Sequence, residues 1–245
     1  VMNARNLFAE ILTGEQRVEE LLRREEVSPE FWSLKGEDTK YFLDKILAGD
    51  ISNRKIAVLG ARTGEIIKQY WDGFCQAEEI TLFDTSAGIL KLAQEKLGGM
   101  NANIRYCSTY NEGVEESELN KYDIVLAVNL LHTYEEPLKE VEWAALLLKR
   151  EGDFYAIEYE ELDPMGILIS GLLENGFVNR KRGRREHTPL LLLDDWKNIY
   201  GQAPFGEVAI NRRGRLGALL IHAKNVTPEV IEMRSRILEY MNENL

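Results

Sequence analysis

From about residue 51 the chain alternates short apolar runs with amphipathic stretches. "KIAVLG" (55–60) is an apolar run ending in glycine, and "EIIKQYW" (65–71) after it carries helical spacing. "EITLFD" (79–84) is the next run, followed by "AGILKLAQEKLGG" (87–99), whose two glycines stop a helix. "NIRYCS" (103–108), "YDIVLAVN" (122–129) and "GDFYAIEY" (152–159) complete five predicted strands, with "EPLKEVEWAALLLKR" (136–150) as the helix before the last. Uniformly apolar strands separated by helices predict a parallel sheet covered on both faces, with a crevice at the carboxyl ends of the strands.

Residues 1–50 read instead as a helical lobe. Leu7, Ile11 and Leu12 share one face, Val18, Leu21 and Leu22 a second, and Tyr41, Phe42, Lys45 and Ile46 a mixed third. "VSPEFW" (27–32) reads as a loop in which Ser28 caps and Pro29 starts a short helix. Beyond Tyr159, helices are expected at Met165–Leu173 and Asp194–Tyr200. "GEVAINRRGRLGALLIHAK" (206–224) reads as two antiparallel strands around a turn at Arg212–Gly214, and an amphipathic helix covers 228–244. The division is therefore 1–50, a helical lobe; 51–160, the α/β core; 161–204, a lid or substrate region; and 205–245, a hairpin and helix completing the core.

Composition narrows the function classes. At 245 residues, 44% hydrophobic and 29% charged, the chain is an ordinary globular one, and no apolar run reaches the length of a membrane span. A net charge of −11 argues against a nucleic acid partner. Cys75 and Cys107 have neither disulfide nor zinc spacing, so no metal and a cytoplasmic location are expected.

Three segments carry a resemblance to one family. "VLGARTGEI" (58–66) sits where a glycine-rich loop for S-adenosylmethionine (SAM) belongs, and "LFDTSAGILKLAQEKL" (82–97) is similar to the acid-ended strand and Ser-started helix that follow it. "YDIVLAVNLLHTYEEPLKEVEWAALLLKREGDFYAIEY" (122–159) matches best, with an Asn-apolar-Leu-His sequence and a strand closing in Glu. Together they resemble the class I methyltransferase domains embedded in polyketide synthases and nonribosomal peptide synthetases, as do the flanks "NLFAEILTGE" (6–15) and "HTPLLLLDDW" (187–196). The resemblance implies a Rossmann-like α/β fold, its parallel strands ending in an antiparallel hairpin, with an N-terminal helical lobe and a lid insertion. The tail "VIEMRSRILEYMNENL" (230–245) is also similar to the helix leading into a late adenylation-domain motif, which implies a chain excised from a larger modular protein; an ordinary surface helix is the alternative.

What the resemblance implies for individual residues divides into cofactor and chemistry. Gly60, Ala61 and Gly64 form the SAM loop, Asp84 accepts the ribose hydroxyls, Ser108 and Thr109 contact the adenine or belong to a plain polar loop, and Asn129 also borders the cofactor. Asp84 is alternatively a helix cap, a role open to Ser86 as well. Three departures concern the same ligand: Val58 replaces a usual acid, Arg62 replaces a glycine, and "CSTYN" (107–111) has no acid. His132 and Glu158 match a base pair that deprotonates a carrier-bound thioester in carbon-methylating members, with Glu160 and Glu161 as rivals for the carboxylate. Tyr134 and Tyr159 line an acyl pocket or simply pack. The basic run Arg180–Arg185 is a solvated loop or a docking patch for an acidic carrier protein and its phosphopantetheine.

The implied activity is SAM-dependent methylation, at carbon by the His–Glu pair, of an acyl or aminoacyl thioester on a carrier protein amid neighbouring synthase domains. A relative that has lost SAM, as a structural pseudo-methyltransferase or an epimerase keeping the base, stays open beside it. If Arg62 obstructs the loop, Arg62→Gly strengthens SAM binding in a calorimetric titration, and unchanged affinity clears Arg62 of that role.

Overall fold

A computed structural model of the chain describes residues 5–17, 36–61, 64–100, 103–108, 115–162 and 190–244. The sheet has seven strands in the order β3-β2-β1-β4-β5-β7-β6. They are β1 (Lys55–Leu59), β2 (Glu79–Phe83), β3 (Ile104–Cys107), β4 (Tyr122–Val128), β5 (Leu148–Tyr159), β6 (Phe205–Arg213) and β7 (Ala218–Val226). β1 to β5 are mutually parallel, and β7 runs antiparallel between β5 and β6. The five parallel strands and the closing hairpin are those expected from the apolar runs.

Helices lie on both faces: α1 (Arg5–Leu12), α2 (Gly36–Leu47), α3 (Glu65–Gln69), α4 (Trp71–Phe74), α5 (Ala87–Leu97), α6 (Pro137–Leu147), α7 (Leu193–Tyr200) and α8 (Pro228–Asn244). Strand side chains alternate between two cores, as the two-residue period requires. Leu59, Val125, Phe154 and Ile221 join α6, α7 and α8 on one face. Ile56, Val58, Leu82, Leu126, Ile157 and Leu220 join α2, α3, α4 and α5 on the other.

Several expected boundaries move. The helix expected over 65–71 is two short ones that meet at Tyr70. α6 stops at Leu147 because Leu148 already pairs with Tyr122, ahead of a register shift in β4. The hairpin turn spans Gly214–Gly217 rather than Arg212–Gly214, since Arg212 and Arg213 pair with Leu219 and Ala218. In α2 the buried stripe is Phe42, Leu43 and Ile46; Tyr41 and Lys45 face outward. The readings of Val18–Leu22, 27–32 and Met165–Leu173 lie outside the described residues.

Charges are buried in two places far from the carboxyl ends of the strands. Glu118 accepts from Arg105, Lys121 and Tyr122. Burial opposes its ionisation, but these hydrogen bonds and the charge of Lys121 prevail and hold it below the ordinary carboxylate value. Arg234 of α8 closes the end of α6, donating through Nε to Leu146 O (3.1 Å) and through Nη2 to Ala145 O (2.6 Å) and Leu148 O. Its Nη1 reaches Asn120 Oδ1 at 3.1 Å. The last carbonyls of a helix lack partners within it and carry its negative end, so a guanidinium there satisfies both demands. The final helix is thereby built into this fold. Arg234→Met is expected to lower unfolding free energy by about 3 kcal/mol, read by urea denaturation, because it removes a buried donor from Ala145 O and Leu148 O, while Leu146 O keeps the Asn120 amide.

Candidate active site at the carboxyl edge of the sheet

The sheet reverses direction of build between β1 and β4, which opens the crevice where ligands bind in such folds. Glycine leads the chain out of β1. Gly60, at φ 75°, donates its N–H to Phe83 O at the end of β2 (2.8 Å). A β-carbon here would lie 3.0 Å from Leu130 Cδ1, so the glycine admits the loop that follows β4. Gly64, also at φ 75°, is needed for a different approach: a β-carbon would lie 2.8 Å from Leu97 of α5. Glu65, next in line, is buried and paired with Lys96 at 2.6 Å, which ties α3 to α5. Arg62, Thr63 and Thr109 lie outside the described residues, as does the basic run Arg180–Arg185.

Asp84 sits at the end of β2, half-buried. Its Oδ2 accepts the Ala61 amide (3.0 Å) and its Oδ1 the Ser86 amide (2.9 Å). The helix-capping alternative falls to Ser86, whose Oγ accepts from Ile89 N at 3.3 Å. Asp84 instead fastens the glycine loop to the next strand. Ser108, just past β3, is exposed. Val58 is 2% exposed and packs in the core between Leu82 and Leu126 of the flanking strands.

The loop after β4 carries the ionisable pair. Asn129 turns the chain at φ 51° and donates its N–H to Ile157 O (2.6 Å), which seats the loop against β5. Glu158, wholly buried, then accepts the amides of Leu130 (2.9 Å) and Leu131 (2.7 Å) on Oε1. His132 Nδ1 lies 2.7 Å from Glu158 Oε2. With a carboxylate as partner, Nδ1 is the protonated nitrogen and Nε2 carries the lone pair.

The two rivals for the carboxylate do other work. Glu160, one residue past the end of β5, accepts Leu193 N (3.0 Å) at the start of α7 and pairs with Arg212 of β6. Glu161 donates its amide to Leu216 O in the β6–β7 turn. Gly217, at φ 60°, leaves room for the Glu160 carboxylate. This clamp was not visible in the pattern; the two-residue spacing of Glu158 and Glu160 was its one signal. Tyr159 packs rather than lines a pocket: its hydroxyl meets Thr39 Oγ1 of α2 at 2.8 Å, and burial pushes it up to about 12. Tyr134 is half-buried against the α6 side of the core.

With this geometry in hand, comparison with known proteins is direct. The chain aligns over 91–92% of its length with the citrinin polyketide synthase CMeT domain (TM-score 0.72, 19% identity) and with trans-methyltransferase CalH in complex with SAH (TM-score 0.71, 17% identity), covering 64% and 66% of those chains. The fold is that of the class I methyltransferases. In sequence, the chain is similar to polyketide synthases and hybrid synthetases. The hybrid PKS-NRPS synthetase phm1 of Pyrenochaetopsis sp is 26% identical over 211 residues, 80% of this chain. The chain spans about a twentieth of such relatives, covering 5% of the length of phm1. No protein-family model matches it. Among the described residues, no helix is long and apolar enough to cross a membrane.

Asp84→Ala removes the acceptor for two loop amides. Hydrogen exchange at Ala61 and Ser86 is expected to speed up, with a stability loss of about 1–2 kcal/mol. Unchanged exchange at both amides contradicts the fastening role.

Proposed function

We propose that the chain is a SAM-dependent methyltransferase domain of a modular polyketide or hybrid polyketide–peptide synthase, acting at carbon on a thioester held by a carrier protein. The observation that carries this reading is the buried Glu158 carboxylate holding His132 at 2.7 Å at the carboxyl edge of the sheet. An acyl thioester needs a base to free its α-carbon for methylation, whereas transfer to an amine or hydroxyl depends mainly on positioning.

The residues present fit the cofactor on its ribose side. Its place at the end of β2 supports a ribose-binding role for Asp84, whose carboxylate also fastens the Ala61 and Ser86 amides. The backbone of Gly60, Ala61 and Gly64 would hold the methionine end. Val58 brings no acid to the amine, because its side chain is committed to the core. When bound, SAM supplies an electrophilic methyl group. His132 Nε2 takes the α-proton, and Glu158 stabilises the imidazolium through Nδ1–H. Asn129 and the Leu130 and Leu131 amides keep the imidazole in place during the transfer. The carrier protein and the adjoining synthase domains belong to this reading. They are supported by the polyketide and hybrid synthases among the relatives.

The buried Val58 favours one second reading, a base-bearing relative without SAM that epimerises or only scaffolds. Calorimetry separates the two. The first reading expects SAM binding by wild type, and His132→Asn is expected to cut methyl transfer by about 100-fold or more while leaving SAM affinity intact. Absence of heat at millimolar SAM, together with His132-dependent exchange of the substrate α-proton in heavy water, supports the epimerase instead.

A further inference from the structure

Arg234 does more than close the end of α6. At the amino ends of β4 and β5, away from His132, it lines a half-open cleft of about 500 Å³. That volume falls within the roughly 300–1,000 Å³ of small-molecule sites. Leu119 and Ile231 give the cleft apolar walls, Glu116, Asn120 and Arg150 are exposed around it, and Arg234 is its buried member. Donors outnumber acceptors among these side chains. A guanidinium has five N–H groups, and Arg234 directs four of them to Leu146 O, Ala145 O, Leu148 O and Asn120 Oδ1, which leaves one on Nη1. Asn120 accepts through Oδ1, so its amide hydrogens stay available for another partner. Among the described residues, neither Arg150 nor Arg234 has a carboxylate within ion-pair distance. The negative end of α6 offsets only about half a charge. Burial accordingly lowers the Arg234 guanidinium from its ordinary value.

We propose that this cleft binds the carboxylate of a small amphiphilic monoanion between Arg150 and Arg234, with the apolar body of the ligand against Leu119 and Ile231. Hydrogen bonds from a guanidinium to a carboxylate are charge-assisted and about twice as strong as neutral ones. Arg150 supplies a charge that no described acid answers, and Arg234 supplies its remaining N–H while keeping its place at the helix end. Glu116 narrows the ligand further, because a carboxylate beside the cleft repels a dianion about twice as strongly as a monoanion. A phosphate is thereby disfavoured against a carboxylate. The cleft shares no residue with the His132–Glu158 pair or the loop that holds it.

Hexanoate is the probe, titrated calorimetrically into the intact chain at fixed ionic strength. Saturable binding is expected, and hexanamide, its uncharged counterpart, is expected not to bind. Arg150→Ala is expected to weaken hexanoate about tenfold, the worth of one charged hydrogen bond. Glu116→Gln is expected to tighten it about threefold by removing a like charge. Both positions are exposed, so neither variant disturbs the core. Arg236→Ala, which removes an exposed charge of the same helix outside the cleft, is expected to leave the affinity in place. Absence of saturable hexanoate binding overturns the proposal, as does equal binding of hexanamide. An unchanged affinity in Arg150→Ala overturns it too, and so does an equal loss in Arg236→Ala. Inorganic phosphate binding more tightly than hexanoate overturns the monoanion. None of these readouts involves SAM or His132, so failure of the proposed methyl transfer leaves this inference standing.

Discussion

The buried carboxylate of Glu158 is the constraint on which the catalytic edge depends. Carrying such a group into an apolar interior is costly unless every lone pair direction is used by a donor. Here two consecutive backbone amides and an imidazole meet that demand. In meeting it they fix the shape of the loop after β4. Asn129 turns through the left-handed region to deliver the amides, and its own N–H is held by the neighbouring strand.

The same loop rests on the glycine turn after β1. Leu130 occupies the space beside Gly60, so the glycine turn also sets how closely the His132 loop approaches β1. Asp84 continues the linkage by tying Ala61 and Ser86 to the end of β2. The glycine loop and the His132–Glu158 pair are thus one hydrogen-bonded and packed unit across β2, β1, β4 and β5. Another buried acid, Glu118, is answered by full cationic charges and serves to hold strands together. Glu158 is answered by amides and an imidazole, a group suited to take up a proton. That difference in partners distinguishes a structural acid from a candidate catalytic one.

Much of this was legible in the chain. Strands buried on both faces leave continuous apolar runs, so the five parallel strands stood out, and "RRGR" between two alternating segments marked the hairpin. The Asn-Leu-Leu-His run and the Glu that closes β5 pointed to the pair at the crevice. The three carboxylates at 158, 160 and 161 did not sort themselves, because a strand's alternation places 158 and 160 on the same side. Arg234 was invisible for a similar reason: on an amphipathic helix it reads as a solvated charge, and only the buried carbonyls at the end of α6 make a use for it.

The sequence by itself determined the element order, the class of sheet and the residue types at the strand ends, since these follow from local periodicity and chain connectivity. Tertiary structure alone decided which acid faces His132, that Asp84 fastens the loop while Ser86 caps the helix, and that Arg234 closes the end of α6. Those choices depend on distances of about 3 Å between segments far apart in the chain, and hydrogen bonds at that range are specified by packing rather than by any local pattern.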